Sequence, residues 1–198
     1  MTKKLTLIFL LIELSTLSFN ASSFFPETDK DFSLLPSFCK VRAGRGTAAE
    51  VTLWKNRLGS DYIHIHHFCA GLHSYNYTTM NFPKNNDEKA FHLHALRSVL
   101  GEVNYMESHV KNKHFVLFPS IYLLKAKAHA DLGQTAEALV YFKKSITANK
   151  KFTRAYLALS RYYQKLGDKA KALATIEQGL QYKPSSKGLN RQRTELSQ

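Results

Sequence analysis

The chain has 198 residues, 44% of them hydrophobic and 22% charged, and a formal net charge of +13. That length makes one ordinary domain able to bury a real core. The cationic field attracts anionic partners and speeds encounter with them, without saying what they are.

The N-terminus has the layout of a secretory signal. Lys3 and Lys4 precede a mostly apolar run from Leu5 to Phe19, and small polar residues follow at Ala21, Ser22 and Ser23. The run is interrupted by Glu13 and is shorter than the roughly twenty apolar residues a spanning helix needs. Residues 1–22 are therefore expected to be a cleaved signal, which places the mature protein in a periplasm or outside the cell. If the segment were retained, the protein would sit at a membrane. Export also removes nucleic acid, the default partner of a basic cytosolic protein.

Residues 23–86 form an N-terminal module that carries both cysteines, Cys39 and Cys69. An even pair in an oxidising compartment reads as a disulfide; the competing reading is two reduced thiols or thiolate ligands. Residues 47–58 place Val51, Trp54 and Leu58 on one helical stripe, closed by Gly59. Residues 61–77 predict a second helix, with Ile65, Phe68, Leu72 and Tyr75 on its core face. Helical projection puts His66, Cys69 and His73 on one flank, and His64 and His67 on the other with Gly71. His66, Cys69 and His73 offer three ligands suited to zinc or copper. A Cys39–Cys69 bridge would withdraw the sulfur, so bridge and metal site exclude each other.

An internal repeat dominates the rest. Leu132-Gly133 recurs as Leu166-Gly167 after 34 positions, and Tyr122, Ala138 and Leu139 recur as Tyr156, Ala172 and Leu173 in the same register. Each unit has the parts of a helical hairpin: an apolar stripe such as Tyr156, Leu159 and Tyr163, a turn glycine, and a small residue where two helices approach closely. One hairpin cannot bury its own apolar face, so stacking is required. The predicted architecture is an all-α solenoid of stacked helical hairpins, with about 8–10 helices including N-terminal and capping helices. The units span residues 119–150 and 153–184. A degenerate third is expected over 87–112, with helices near 87–100 and 103–111 around Gly101, and residues 185–198 read as a polar capping helix.

Period and signature together resemble the tetratricopeptide repeat. Counted from Thr153, the pattern is carried by Tyr156, Leu159, Ser160, Tyr163, Ala172 and Pro184; the earlier unit departs from it at Lys125, His129 and Lys150. In that family the first helices of successive repeats line a concave groove. The resemblance assigns Arg154, Leu157, Arg161, Gln164 and Lys165 to the groove from one unit, and Ser120, Leu123, Lys127, Ala130 and Asp131 from the other. Lys127 and Arg161 take the same position one repeat apart, an arrangement suited to an acidic or carboxylate-ended peptide. The partner-binding set is thus Leu123, Lys127, Arg154, Leu157, Arg161 and Lys165. The alternative reading of these cations is a solvated basic face. Ala158 stands where the carboxylate clamp of chaperone-binding repeats has a basic residue, so chaperone tails are not expected.

From Lys143 to Glu195 there are thirteen Lys or Arg residues against Asp168, Glu177 and Glu195, which points to a protein or peptide partner of acidic character. A further resemblance covers residues 35–75. Leu35-Pro36-Ser37-Phe38-Cys39, Trp54, and His64 through Leu72 are similar to a module found ahead of such repeats in exported bacterial proteins of unassigned role. It implies pairing of module and repeats, and no activity.

No nucleophile elbow, zinc-protease helix or phosphate-cradling loop is present in the sequence. The expectation is a non-enzymatic exported scaffold without catalytic residues or cofactor, of a kind that would serve an envelope or secretion assembly. Metal or cofactor binding through His66, Cys69 and His73 stands as the alternative.

Overall fold

The computed structural model of the chain describes residues 25–198; the expected signal, residues 1–22, lies outside them. Ten α-helices and no strand occur among the described residues: α1 Asp29–Ser33, α2 Ser37–Lys40, α3 Ala48–Leu58, α4 Ile65–Met80, α5 Asn86–His109, α6 Phe118–Asp131, α7 Thr135–Ala148, α8 Thr153–Lys165, α9 Lys169–Tyr182 and α10 Lys187–Ser197. A π-turn (Val41–Arg45) and a 3-10 segment (Gly59–His64) join the early ones. None of these helices is long and apolar enough to cross a membrane.

Local chemistry sets the boundaries. Thr47 and Glu50 form a capping box at the start of α3, each side chain taking the other's backbone N–H, and Gly59 ends the helix at φ 66°. Gly133 and Gly167 close α6 and α8 at φ 76° and 79°. The following N–H groups of Gln134 and Asp168 donate back to the carbonyls of His129 and Tyr163 at 2.9 Å, the bonding of a Schellman stop. Both Leu-Gly pairs of the repeat thus do the same physical work.

The helices stack as antiparallel hairpins, α4 on α5, α6 on α7, and α8 on α9, with α10 closing the end. This is the expected α-solenoid. Its first hairpin differs from expectation: α5 runs unbroken from Asn86 to His109, and Gly101 sits inside it rather than at a turn. The pairing partner of α5 is therefore α4, so the first hairpin spans residues 65–109 and takes its first helix from the histidine segment. No other side chain approaches within 4 Å of a Cβ built at Gly101, and a glycine lacking a left-handed backbone does not by itself stop a helix.

Two cores hold the stack. The first gathers Phe32, Phe38, Leu58, Ile65, Phe68, Val99, Val103, Met106, Phe115, Ile121 and Leu124, with Trp54, Leu72 and Tyr75 packed against it. The second is built from Leu123, Ala126, Phe142, Tyr156, Leu159, Ile176, Leu180 and Leu189. Helix α6 contributes to both, turning Ile121, Leu124 and Ala128 to the first and Leu123 and Ala126 to the second. Small residues set the close approaches: Ala138 and Ala172 are wholly buried, and a Cβ on Gly179 would lie 2.9 Å from Cγ of Tyr156.

The departures from the repeat signature have local compensation. Lys125 is only 6% exposed, its ammonium paired with the Glu107 carboxylate and lying 4.0 Å over the Tyr141 ring. His129 donates its Nδ1–H to Gln134 Oε1 at 2.6 Å and stacks on Tyr141. The Lys150 carbonyl accepts the Tyr156 hydroxyl at 3.0 Å. Although α10 is mostly polar, it buries Leu189 and Leu196 against α9 and α8, and Gln192 bonds Gln164 at 2.9 Å.

Candidate functional site

The six residues expected to face a partner, Leu123, Lys127, Arg154, Leu157, Arg161 and Lys165, line one cavity of about 390 Å³ on the inner side of α6 and α8. Ala130, Asp131 and Ala158 line it with them. Ser120 and Gln164 do not; Gln164 is turned to Gln192 of α10. The wall is formed by the i, i+4 and i+3 spacing that sets one helix face.

Tyr75 completes the cavity from α4. The sequence assigned it to the core, and it does pack there, but its hydroxyl reaches across to donate to Asp131 Oδ2 at 2.8 Å. Burial, reinforced by the Asp131 charge, pushes the Tyr75 phenol well above its ordinary range. Its only sequence signal was a terminal position on an apolar stripe. The Lys127 ammonium lies 5.3 Å over the Tyr75 ring. Burial lowers the Lys127 pKa, the Asp131 carboxylate opposes that shift, and the Arg154 and Arg161 charges add to it. Four cations thus face a hollow whose one lining carboxylate is already bonded to a phenol. That geometry favours an anion supplied from outside.

The alternative site is differently arranged. Cys39 and Cys69 are joined as a disulfide, Cα to Cα 5.6 Å, linking α2 to α4. The sulfur of the proposed metal triad is therefore consumed. Of the remaining two, His66 Nδ1 sits 3.0 Å from the Ile63 carbonyl, while His73 Nε2 lies 3.6 Å from Asp31 Oδ1. Among the described residues no group of three or more His, Cys, Asp or Glu is placed to hold a metal. The flank His66, Cys69, His73 is corrected accordingly: the thiolate it needed is a bridge that fastens the module.

His64 and His67 turn toward α5, where the sequence offered no signal for what they meet. His67 Nδ1 is 2.6 Å from Glu102 Oε2, and its ring stacks on Tyr105 at 3.6 Å. Tyr105 stacks in turn on His109 at 3.8 Å, with His64 5.8 Å from His109 and His66 4.2 Å from His67. Burial lowers the pKa of both His64 and His66, and neighbouring imidazoles deepen each shift.

Residues 129–188, about a third of the chain, match the family model described as tetratricopeptide repeat. The matched stretch runs from the last turn of α6 through α7, α8 and α9 to the start of α10. The stacked hairpins and this match together define the class: a helical-repeat protein, whose kind serves as a scaffold for protein–protein interaction. No curated protein and no solved structure matches the chain.

Proposed function

We propose that this is an exported, non-enzymatic scaffold that holds an acidic, extended segment of a partner protein in the hollow between α6, α8 and Tyr75. The observation that carries the reading is the convergence of Lys127, Arg154, Arg161 and Lys165 on one cavity with an apolar floor of Leu123 and Leu157. An extended peptide contributes carboxylates to the cations and an aliphatic side chain to the floor. Export is supported by the leader-like N-terminus and by a disulfide of the kind found in oxidising compartments; an envelope or secretion assembly is a setting that fits such a scaffold. Should the leader be retained, the scaffold would work at a membrane, and sequencing the mature N-terminus decides between the two.

Titration with an acidic peptide tests the groove. Lys127→Glu combined with Arg161→Glu is expected to weaken binding more than about tenfold, on the order of 1.4 kcal/mol or more, and to reduce its salt dependence. Equal affinity of wild type and the double variant would sink the groove assignment.

A further inference from the structure

A second hollow lies elsewhere on the molecule. It has a volume of about 790 Å³, between the α5–α6 connection and the outer face of α7, and shares no lining residue with the groove. Phe118 and Tyr122 form its floor, their rings 5.3 Å apart and within 5° of parallel, and Phe115 meets Phe118 edge-on. Val116 and Val140 flank it at 62% and 51% exposure. The repeat buries Ala138, Phe142, Ser145 and Ile146 along α7, and Val140 lies outside that buried row.

The rim is cationic. Lys113, Lys143 and Lys144 line it and no acidic residue does. Lys144 is partly answered by Glu107 at 3.9 Å and lies 5.7 Å over the Tyr122 ring. Neither Lys113 nor Lys143 has a carboxylate at ion-pair distance among the described residues. Exposed valines over an aromatic floor, ringed by unanswered lysines, match an occupant with the opposite design.

We infer that this hollow is a second binding site, which takes an acidic segment of a partner protein that inserts one apolar side chain onto the Phe118–Tyr122 floor. The lining along α7 runs from Val140 to Asn149, about 14 Å at the helical rise. That matches about four residues of extended chain. A membrane is a poorer fit, because a bilayer receives apolar groups that protrude, and this floor is recessed behind its rim. The site is independent of the groove and stands whether or not the groove binds.

Fluorescence anisotropy with labelled peptides tests it on the full chain: one panel of about eight residues carries a single Phe or Leu between glutamates, the other replaces the glutamates by lysines. In the Lys127→Glu/Arg161→Glu background, which disables the groove, the acidic panel is expected to contain binders whose affinity falls at least about tenfold when either Val140→Asp or Lys143→Glu is added. Val116→Asp, at another exposed position, should weaken the same peptides, and circular dichroism verifies that each variant is folded. Loss of all peptide binding in that background, before either substitution is added, would assign the peptides to the groove and overturn the second site. So would the absence of any peptide sensitive to Val140→Asp. Phosphatidylglycerol vesicles form a third arm: if they bind, and the Val140 and Lys143 variants abolish that binding while no peptide responds, the surface is a lipid contact and the inference fails.

Discussion

Lys125 occupies a position at which the repeat's own pattern asks for an apolar side chain, and the protein keeps the charge by setting a partly buried carboxylate against it. The Glu107 carboxylate comes from α5 and the Tyr141 ring from α7, so one lysine ties three helices. Removing either partner alone would leave a charge without its answer in low dielectric. The stacked histidines pose the converse problem. His64, His66 and His73 all have pKa values lowered chiefly by burial. The unfolded chain therefore binds more protons than the folded one just below the ordinary imidazole range, and stability falls with pH there. Urea midpoints should be flat from pH 8 to about 7 and drop between about 7 and 5, as pH passes the unfolded imidazole value of about 6.5. The lowered carboxylates of Asp31 and Glu50 act in a separate, more acidic window, below their ordinary values near 4. A midpoint that holds steady or rises on going to pH 5 would contradict this account of the imidazoles.

At the scale of the element, glycine separates what spacing can reveal from what it cannot. Gly133 and Gly167 follow a leucine, recur at the repeat period and adopt left-handed backbone; each was legible as a turn. Gly101 looked equally like a turn, yet it lies within α5 without positive φ. The reason is tertiary: α4 offers α5 a continuous apolar face, so extending the helix buries Val99, Val103 and Met106 in one row. Two substitutions check this. Gly101→Ala should stabilise by roughly 0.5–1 kcal/mol, since no neighbour obstructs the methyl and helix propensity improves; a loss of stability would restore the turn. Gly179→Ala should destabilise by about 1–3 kcal/mol, because its Cβ would meet Tyr156 at 2.9 Å and Leu189 at 3.0 Å. Chemical denaturation of the two variants reads both signs.

Over the whole molecule, stability divides between two cores that share only α6. The disulfide fastens the first of them, closing a stretch of 30 residues. Reducing it should cost about 3–4 kcal/mol by the chain-entropy relation. Hydrogen exchange should then show the loss in α2 to α4 and leave α8 and α9 nearly as protected as before. Uniform loss along the chain would mean that the stack unfolds as one unit. The amino-acid sequence alone determined the hairpin period, the turn glycines Gly133 and Gly167 and the buried alanines, because these follow from spacing along a helix and from backbone conformation at single residues; the groove cations were named through the resemblance to the tetratricopeptide repeat. Tertiary structure decided that α4 and α5 make the first hairpin, that Tyr75 closes the groove against Asp131, and that Lys125 finds Glu107. Each of these joins residues far apart in the chain whose meeting depends on how whole helices pack, and no local pattern encodes a contact between two helices that have not yet been placed.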